Sequence, residues 1–164
     1  MSGPLVLKLG GELVETPEQR SRVAMCVASL ASLQPLVVVH GGGRAIDAEL
    51  ARRGIAPRKV DGLRVTDAPT LDVVVSVLAG SANTALVAAL AAAGVNAVGL
   101  TGADGLLGQA VRSGAHRTTA GQVVDLGLVG DPVRADPGLL TLLTDRGYVP
   151  VVASLGVDRD PPHD

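Results

Sequence analysis

Two segments of this sequence combine apolar residues with glycines in a way that suits chemistry on an anion. Residues 5–11 carry Lys8 inside an apolar run and end in Gly10 and Gly11, and residues 36–43 end in a histidine and three glycines. A glycine run lets backbone N–H groups approach a ligand without a Cβ in the way, and at a helix start such donors attract negative charge. A lysine within an apolar strand is costly to bury unless an anion meets it. Two plainer interpretations stay open: a tight strand-to-helix turn, and a lysine that reaches solvent from a strand edge.

Composition narrows the function classes. The chain has 164 residues, 47% of them apolar, with no Phe or Trp and one Tyr. Such a core must be built from Val, Leu, Ile and Ala, as in buried parallel strands and their covering helices. A net charge of −2 without a basic block argues against nucleic-acid binding. The single cysteine, Cys26, excludes an intrachain disulfide and suits the cytosol, and we expect it to be buried on an apolar helix face.

The hydrophobic pattern alternates strands with helices. Strands are predicted at 5–9, 36–40, 96–101 and 148–153, and helices at 17–33, 44–50 and 136–146. The stretches 71–79 and 83–93 are predicted as two consecutive helices or as one kinked helix. Short alternating segments at 109–112, 122–125 and 128–130 indicate hairpins. The predicted fold is therefore α/β, a mainly parallel sheet with helices on both faces (three layers, α/β/α), plus an appended β-hairpin region.

No membrane segment or metal site is predicted. The first residues carry no positively charged leader pattern, and the longest apolar stretch, about 85–98, is interrupted by Gly94 and Asn96 and too short to span a bilayer. The histidines at positions 40, 116 and 163 lack the spacing of a metal site. We expect a cytoplasmic protein.

Several stretches, taken in order, resemble the amino-acid kinase family over residues 4–158. They are Leu-Lys-Leu-Gly-Gly at 7–11, Val-His-Gly-Gly-Gly at 39–43, Asp-Gly-Leu-Arg-Val-Thr at 61–66, Leu-Ala-Gly-Ser-Ala-Asn at 78–83, Val-Gly-Leu-Thr-Gly-Ala-Asp-Gly at 98–105 and Gly-Tyr-Val-Pro-Val-Val at 147–152. The closest similarity is to members that act on N-acetyl-L-glutamate in arginine biosynthesis. Each motif alone is weak, whereas the ordered set is specific.

The resemblance implies ATP-dependent phosphorylation of the side-chain carboxylate of N-acetyl-L-glutamate, without a covalent enzyme intermediate. Lys8 would place its positive charge on the transferring phosphoryl group. The backbone N–H groups of Gly10, Gly11 and Gly42 would meet the phosphoryl oxygens. Such a site works by alignment and charge neutralisation.

The resemblance also implies where the amino acid binds. Gly42 and Gly43 would border the acetylated substrate, and Arg64 would hold its α-carboxylate, a task suited to a guanidinium fork. The plainer interpretation of Arg64 is a surface ion pair.

The family pattern stops at about Asp158. Residues 1–158 correspond to the amino-terminal, acetylglutamate-binding lobe, residues 159–164 are a polar tail, and the carboxy-terminal ATP-binding lobe of the family is not matched. ATP and Mg²⁺ are implied by the family, with the nucleotide site mostly outside this chain. The chain could be a truncation, a short protein that binds without catalysis, or a half that requires a separate ATP-binding lobe. No G-x-x-x-x-G-K-[ST] or G-x-G-x-x-G replaces that lobe.

The family further implies a homodimer, whereas the start of the chain at its first strand argues against hexamers and arginine inhibition. Three rival functions stay open: a kinase half for a related substrate such as carrier-bound aminoadipate or glutamate, a non-catalytic amino-acid-binding module, and an esterase. The esterase requires a nucleophile elbow, G-x-S-x-G, and the sequence has none.

Overall fold

A computed structural model describes residues 3–159 of the chain. The strands are β1 (Leu5–Leu9), β2 (Leu36–His40), β3 (Lys59–Val60), β4 (Leu63–Arg64), β5 (Ala97–Thr101), β6 (Gln109–Arg112), β7 (His116–Arg117), β8 (Val123–Val124), β9 (Gly130–Arg134), β10 (Val149–Ala153) and β11 (Val157–Asp158). The α-helices are α1 (Pro17–Ala31), α2 (Gly43–Arg52), α3 (Ala68–Val75), α4 (Asn83–Ala92) and α5 (Gly138–Asp145).

Four strands form the central sheet, in the order β1-β2-β10-β5, and all of them are parallel. Leu9 pairs with His40 and His40 pairs with Ala153, so the three strands end at one level. The glycine segments that follow β1 and β2 therefore emerge side by side at the carboxyl edge, where open α/β sheets bind their ligands.

Alternating side chains of the sheet contact helices on both faces. Leu36 and Val38 of β2 are buried in a cluster with residues of α1 and α4. Val37, between them, is buried on the opposite face, where Leu140 of α5 packs against the cluster. This period of two is the pleat of a strand with both faces covered. The three-layer prediction is confirmed.

Helix α1 presents a different face from the one predicted. Its buried residues are Ala24 and Val27, whereas Cys26 is exposed, contrary to the prediction that this thiol is buried. The helix ends at Ala31, short of the predicted end at residue 33, and Leu33 is 79% exposed. Ala24 and Val27 pack in the core cluster against the sheet, so the face next to them is the one that α1 buries.

Residues 68–92 form one continuous helical stretch, the second of the two predicted alternatives, because a π-helical segment, Ser76–Ala82, joins α3 to α4. By length and composition alone these 25 residues could cross a membrane, with a mean hydropathy of 2.0 and 33% of the window buried. A core helix passes the same test. Leu86 and Leu90 are fully buried in the cluster against the sheet, which is the packing of a core helix.

The predicted hairpin region is present, and the structure shows how its strands pair. Strand β6 pairs antiparallel with β9 and parallel with β11, and β7 pairs with β8. The strand predicted at 128–130 instead runs from Gly130 to Arg134. The preceding residues make an isolated bridge between Thr66 and Gly127, which ties this region to the segment after β4.

Candidate functional site

The two glycine segments approach each other at the carboxyl edge of the sheet. A Cβ on Gly11 would lie 2.8 Å from the Cα of Gly42 and 3.1 Å from its backbone nitrogen. The Gly41 N–H donates to the carbonyl of Leu9 at 3.4 Å. Two backbone segments can approach this closely only where side chains are absent. The predicted residues Gly10, Gly11, Gly42 and Gly43 thus lie in one small region.

Helix α2 starts within this region. Gly42 is its N-cap and supplies no side-chain cap, and the first helical bond runs from the Ile46 N–H to the Gly42 carbonyl at 3.0 Å. The preceding N–H groups of the first turn, at 43–45, lie outside the helix's own bonds. Free N–H donors at the positive end of a helix attract an anion.

Lys8 lies one residue before the end of β1, an edge strand of the sheet. Its neighbour Leu9 is buried, and alternation along the strand directs Lys8 to the other face, where its side chain is exposed. Among the described residues Lys8 has no ion-pair partner. Its position agrees with the strand-edge interpretation and leaves its ammonium group available to an anion.

The structure brings Arg64 to the start of α2. The guanidinium Nη2 donates to the Gly43 carbonyl at 3.2 Å, and Nη1 pairs with the Asp47 carboxylate at 2.6 Å. The Arg64 side chain is only 13% exposed. Arg64 is therefore a largely buried side chain held by two partners beside the glycine segments, unlike a solvated surface ion pair.

Asp47, on the second turn of α2, is a site residue that the sequence did not single out. Its other oxygen accepts from the Lys59 ammonium at 2.6 Å. Burial acts to raise the pKa of Asp47, but the hydrogen bonds from Lys59 and Arg64 outweigh it and hold the pKa below its ordinary value. The carboxylate stays ionised and keeps the β3–β4 hairpin, with Arg64, against α2. An acidic residue on a helix gives no sequence signal for this role.

A buried polar pair lies directly beneath the glycines. His40 is fully buried, and its Nε2 lies 3.1 Å from the Asn83 amide nitrogen, which also donates to the Val151 carbonyl at 2.9 Å. The His40 Nδ1 lies 3.1 Å from the Gly41 carbonyl. Burial lowers the pKa of His40, so the imidazole is neutral at neutral pH. Asn83 ends the 78–83 motif and is an amide within a mostly apolar helix, but neither signal indicates its contact with His40.

A cleft of about 390 Å³ opens next to Ser154, which follows β10 at the carboxyl edge of the sheet. The Ser154 N–H donates to the His40 carbonyl at 3.1 Å, and Ser154 lines this cleft together with Thr66 and residues of the β6–β9 hairpin. A second cavity, of about 310 Å³, lies at the β5 edge and includes Gly99 and Thr101. No glycine of either segment lines these two cavities, but the first includes Ser154, whose Oγ would lie 4.0 Å from a Cβ on Gly41. We therefore assign the ligand to the first cleft.

Within residues 3–159, no group of three or more His, Cys, Asp or Glu side chains is arranged to hold a metal ion. The Mg²⁺ implied by the family resemblance therefore has no matching ligand set in the described part of the chain.

Comparison with known protein families identifies the class to which this fold belongs. The model of the amino acid kinase family matches residues 3–162. This chain belongs to the amino acid kinase family.

Two relatives that carry the same name match most of this chain. The chain is 44% identical over 155 residues to the acetylglutamate kinase of Methanopyrus kandleri, covering 94% of this chain and 58% of the relative. It is 47% identical over 165 residues to the acetylglutamate kinase of Sorangium cellulosum, covering 97% and 57%. The chain thus spans somewhat more than half the length of the curated relatives it matches.

Solved structures agree on the fold. The N-acetylglutamate synthase of Neisseria gonorrhoeae, solved with coenzyme A and N-acetyl-glutamate, superposes with a TM-score of 0.76 at 27% identity, covering 94% of this chain and 34% of that one. The protein smu.665 of Streptococcus mutans gives 0.73 at 25% identity, covering 94% and 59%.

Proposed function

We propose that this chain is the N-acetyl-L-glutamate-binding part of an acetylglutamate kinase. The reaction is attack of a side-chain carboxylate oxygen on the γ-phosphorus of ATP, with cleavage of the bond to the bridging oxygen and departure of ADP. Relatives of this name at 44% and 47% identity support the substrate and the reaction. Residues 1–158 form the amino-acid-binding lobe, and the ATP-binding lobe corresponds to the part of those relatives that this chain does not match.

Each residue of the site has a role that its surroundings allow. The N–H groups of Gly10, Gly11 and Gly42 bind the oxygens of the transferring phosphoryl group, and Lys8 neutralises its charge. Gly42 and Gly43 border the substrate. Arg64 binds the α-carboxylate with the N–H donors that Asp47 and the Gly43 carbonyl leave free.

The observation that carries the proposal is the convergence of Arg64 with the glycine segments. Arg64 lies 21 residues beyond Gly43, yet its guanidinium donates to the Gly43 carbonyl next to the contact between Gly11 and Gly42. A fixed cation beside a cluster of backbone donors supports two neighbouring anion sites. N-acetyl-L-glutamate carries two carboxylates.

Calorimetric titration of the 164-residue chain with N-acetyl-L-glutamate, and separately with Mg-ATP, tests the proposal. We expect the amino acid to bind and the nucleotide alone not to bind. Absence of any heat or shift with N-acetyl-L-glutamate, for a protein shown to be folded, would contradict the substrate assignment. Binding of Mg-ATP alone would contradict the assignment of the nucleotide site to another lobe.

Arg64→Ala tests the carboxylate site within that experiment. We expect affinity for N-acetyl-L-glutamate to fall by about 2–4 kcal/mol, the cost of truncating one member of a buried charge pair. Lys59→Ala is the matched control, because it removes the other cation of Asp47 and leaves the Arg64 pair intact. Its effect should stay within about 0.5 kcal/mol, as for an exposed ion pair.

A second candidate is an amino-acid-binding module without kinase activity. The similarity to N-acetylglutamate synthase favours it, since that protein's name describes an enzyme other than a kinase and its structure holds N-acetyl-glutamate. Both candidates predict binding of the amino acid. They differ when an ATP-binding lobe from a matched relative is supplied in trans with Mg-ATP, because the kinase half then forms an acyl phosphate and the module does not.

Homodimerisation and a cytoplasmic location stay predictions. The free side of β5, an edge strand of the central sheet, supports the first, because an unpaired edge can join that of a second copy. Sedimentation equilibrium of the chain tests it, with a monomer across the micromolar range as the contradicting result.

A further inference from the structure

We infer that His40 and Asn83 are positioning residues that aim the Gly42 N–H at the anion site. Neither residue touches a ligand in this assignment. Both act through the peptide bond between Gly41 and Gly42. The inference rests on the proposed function for its ligand, whereas its structural part can be measured without one.

The Val151 carbonyl determines the orientation of the Asn83 amide. A carbonyl can only accept, so the atom of Asn83 at 2.9 Å from it is the amide nitrogen, as the structure has it. The second hydrogen of that nitrogen points to His40 Nε2 at 3.1 Å. Nε2 is therefore the acceptor of this bond and carries no proton.

The tautomer of His40 follows from this bond. A neutral imidazole carries one proton, and with Nε2 accepting, the proton lies on Nδ1. Nδ1 then donates to the Gly41 carbonyl at 3.1 Å. A carbonyl could not bind there if Nδ1 were unprotonated, because both atoms would be acceptors. Asn83 thus selects the tautomer that holds Gly41.

The direction of the Gly42 N–H is the consequence. In a trans peptide the C=O and the following N–H point in opposite directions, and no cis peptide occurs among the described residues. With its carbonyl directed to the buried imidazole, the Gly41–Gly42 peptide directs the Gly42 N–H away from it. Glycines on both sides of this bond would otherwise let the peptide rotate.

The fold builds a socket for the amide. Gly99 of β5 has no Cβ, and a Cβ there would collide with the Asn83 side-chain oxygen. The π-helical segment ends immediately before Asn83, and such segments shift the phase of the residues that follow them. Asn83 itself is 5% exposed. A core position without a polar task would take an apolar residue. The buried amide of Asn83 therefore indicates that its hydrogen bonds fix another group.

Two substitutions at His40 separate positioning from packing. In His40→Asn the side-chain amide reaches about as far as Nδ1 and can still donate to the Gly41 carbonyl. In His40→Gln the amide reaches the position of Nε2 and leaves that carbonyl without its donor. We expect His40→Asn to bind N-acetyl-L-glutamate within about threefold of wild type, and His40→Gln to bind about tenfold more weakly, as for loss of one hydrogen bond to a charged group. A role in packing alone predicts the reverse, because Gln is nearer to His in volume.

Nuclear magnetic resonance gives a readout that needs no ligand. Long-range correlation spectra of ¹⁵N-labelled wild-type chain should show His40 protonated on Nδ1 alone. The Gly42 amide resonance should move in His40→Gln and in Asn83→Asp, and stay near its wild-type position in His40→Asn. A proton on Nε2 in the wild type overturns the inference, even if every variant fails to fold. So does wild-type binding by His40→Gln. If the wild type binds no N-acetyl-L-glutamate while the tautomer and the Gly42 shifts are as expected, the proposed function fails and the positioning does not.

Discussion

The two sides of the cleft are held by different kinds of interaction. The glycine segments lie on parallel strands in fixed register, above the buried His40 and Asn83. The hairpins that cover the cleft are tied to the segment after β4 by the backbone bridge at Thr66 and, beside it, by exposed polar groups. The Asp61 carboxylate accepts from the Thr119 N–H at 2.9 Å, and Arg112 pairs with Asp125 at 3.1 Å.

Because of this difference, the glycine segments can hold their N–H groups in fixed directions while the covering hairpins can move to admit a ligand. Donors that must meet a phosphoryl group need a fixed direction, which buried hydrogen bonds and close packing provide. A covering region that must admit a substrate can move at little cost when its links are few and exposed. We expect substitutions around the buried His40 and Asn83 to lower the stability of the whole molecule, and substitutions in the covering hairpins to have small, local effects.

Asn83→Ala should give the largest change. It leaves two buried acceptors, the Val151 carbonyl and His40 Nε2, without their donor. We expect the free energy of unfolding in urea to fall by about 2–4 kcal/mol, since each unpaired buried acceptor costs about 1–3 kcal/mol. Thr84→Ala, at the exposed next position of the same helix, should change it by less than about 0.5 kcal/mol. Equal effects of the two variants would show that the buried His40–Asn83 pair does not stabilise the fold.

Gly11→Ala should give an intermediate change. The added Cβ would lie 2.8 Å from the Cα of Gly42, and this backbone atom cannot move without displacing β2. We expect a loss of about 1–3 kcal/mol of unfolding free energy, as for overpacking.

The matched control for Gly11→Ala is Gly43→Ala, where a Cβ meets no atom within 4 Å. This control should keep wild-type stability. A wild-type value for Gly11→Ala as well would mean that the two glycine segments are less closely packed than the structure describes.

Asp61→Asn should give the smallest change, confined to the hairpins. It removes the charge that accepts from Thr119 and pairs with His116 at 3.1 Å. We expect faster hydrogen exchange at the Thr119 amide with no change at Gly42. Asp125→Asn, which removes an exposed carboxylate from the same region, should leave the Thr119 amide unchanged. Slower exchange at Thr119 in Asp61→Asn would contradict the link.

Acid should act in the same direction as Asp61→Asn. The Thr119 N–H, followed by the His116 imidazole, holds the pKa of Asp61 below its ordinary value. A carboxylate with a depressed folded pKa stabilises the fold above its unfolded pKa, and this stabilisation is lost as the pH falls through the folded pKa. The Thr119 amide resonance should therefore move only in acid below the ordinary range for aspartate. A transition within or above that range would contradict the assignment.

The sequence predicted what local patterns determine. Four sheet strands follow from apolar runs, and the glycines after β1 and β2 mark the carboxyl edge of the sheet. Strand β6 has the predicted bounds, Gln109–Arg112. These features depend on neighbours within a few residues.

What the sequence missed depends on pairs that are distant along the chain. Asn83 contacts His40 and Val151 across 43 and 68 residues, and no local pattern encodes either bond. Asp47 meets Arg64 only because the β3–β4 hairpin folds back over α2. The wrong prediction for Cys26 has a related cause, since the face that α1 buries depends on the packing of Ala24 and Val27 against residues of the sheet and α4 that are distant in the sequence.

The position of β10 has a consequence for how this molecule is made. Among the described residues this strand is the last of the central sheet along the chain, yet it lies between β2 and β5. A ribosome that has produced everything up to Tyr148 has therefore released the β1–β2 pair and β5 without the strand that joins them. Long-range pairing of this kind slows folding. The nascent chain must wait with two incomplete sheet edges exposed, and the base of the cleft comes into existence in one late step.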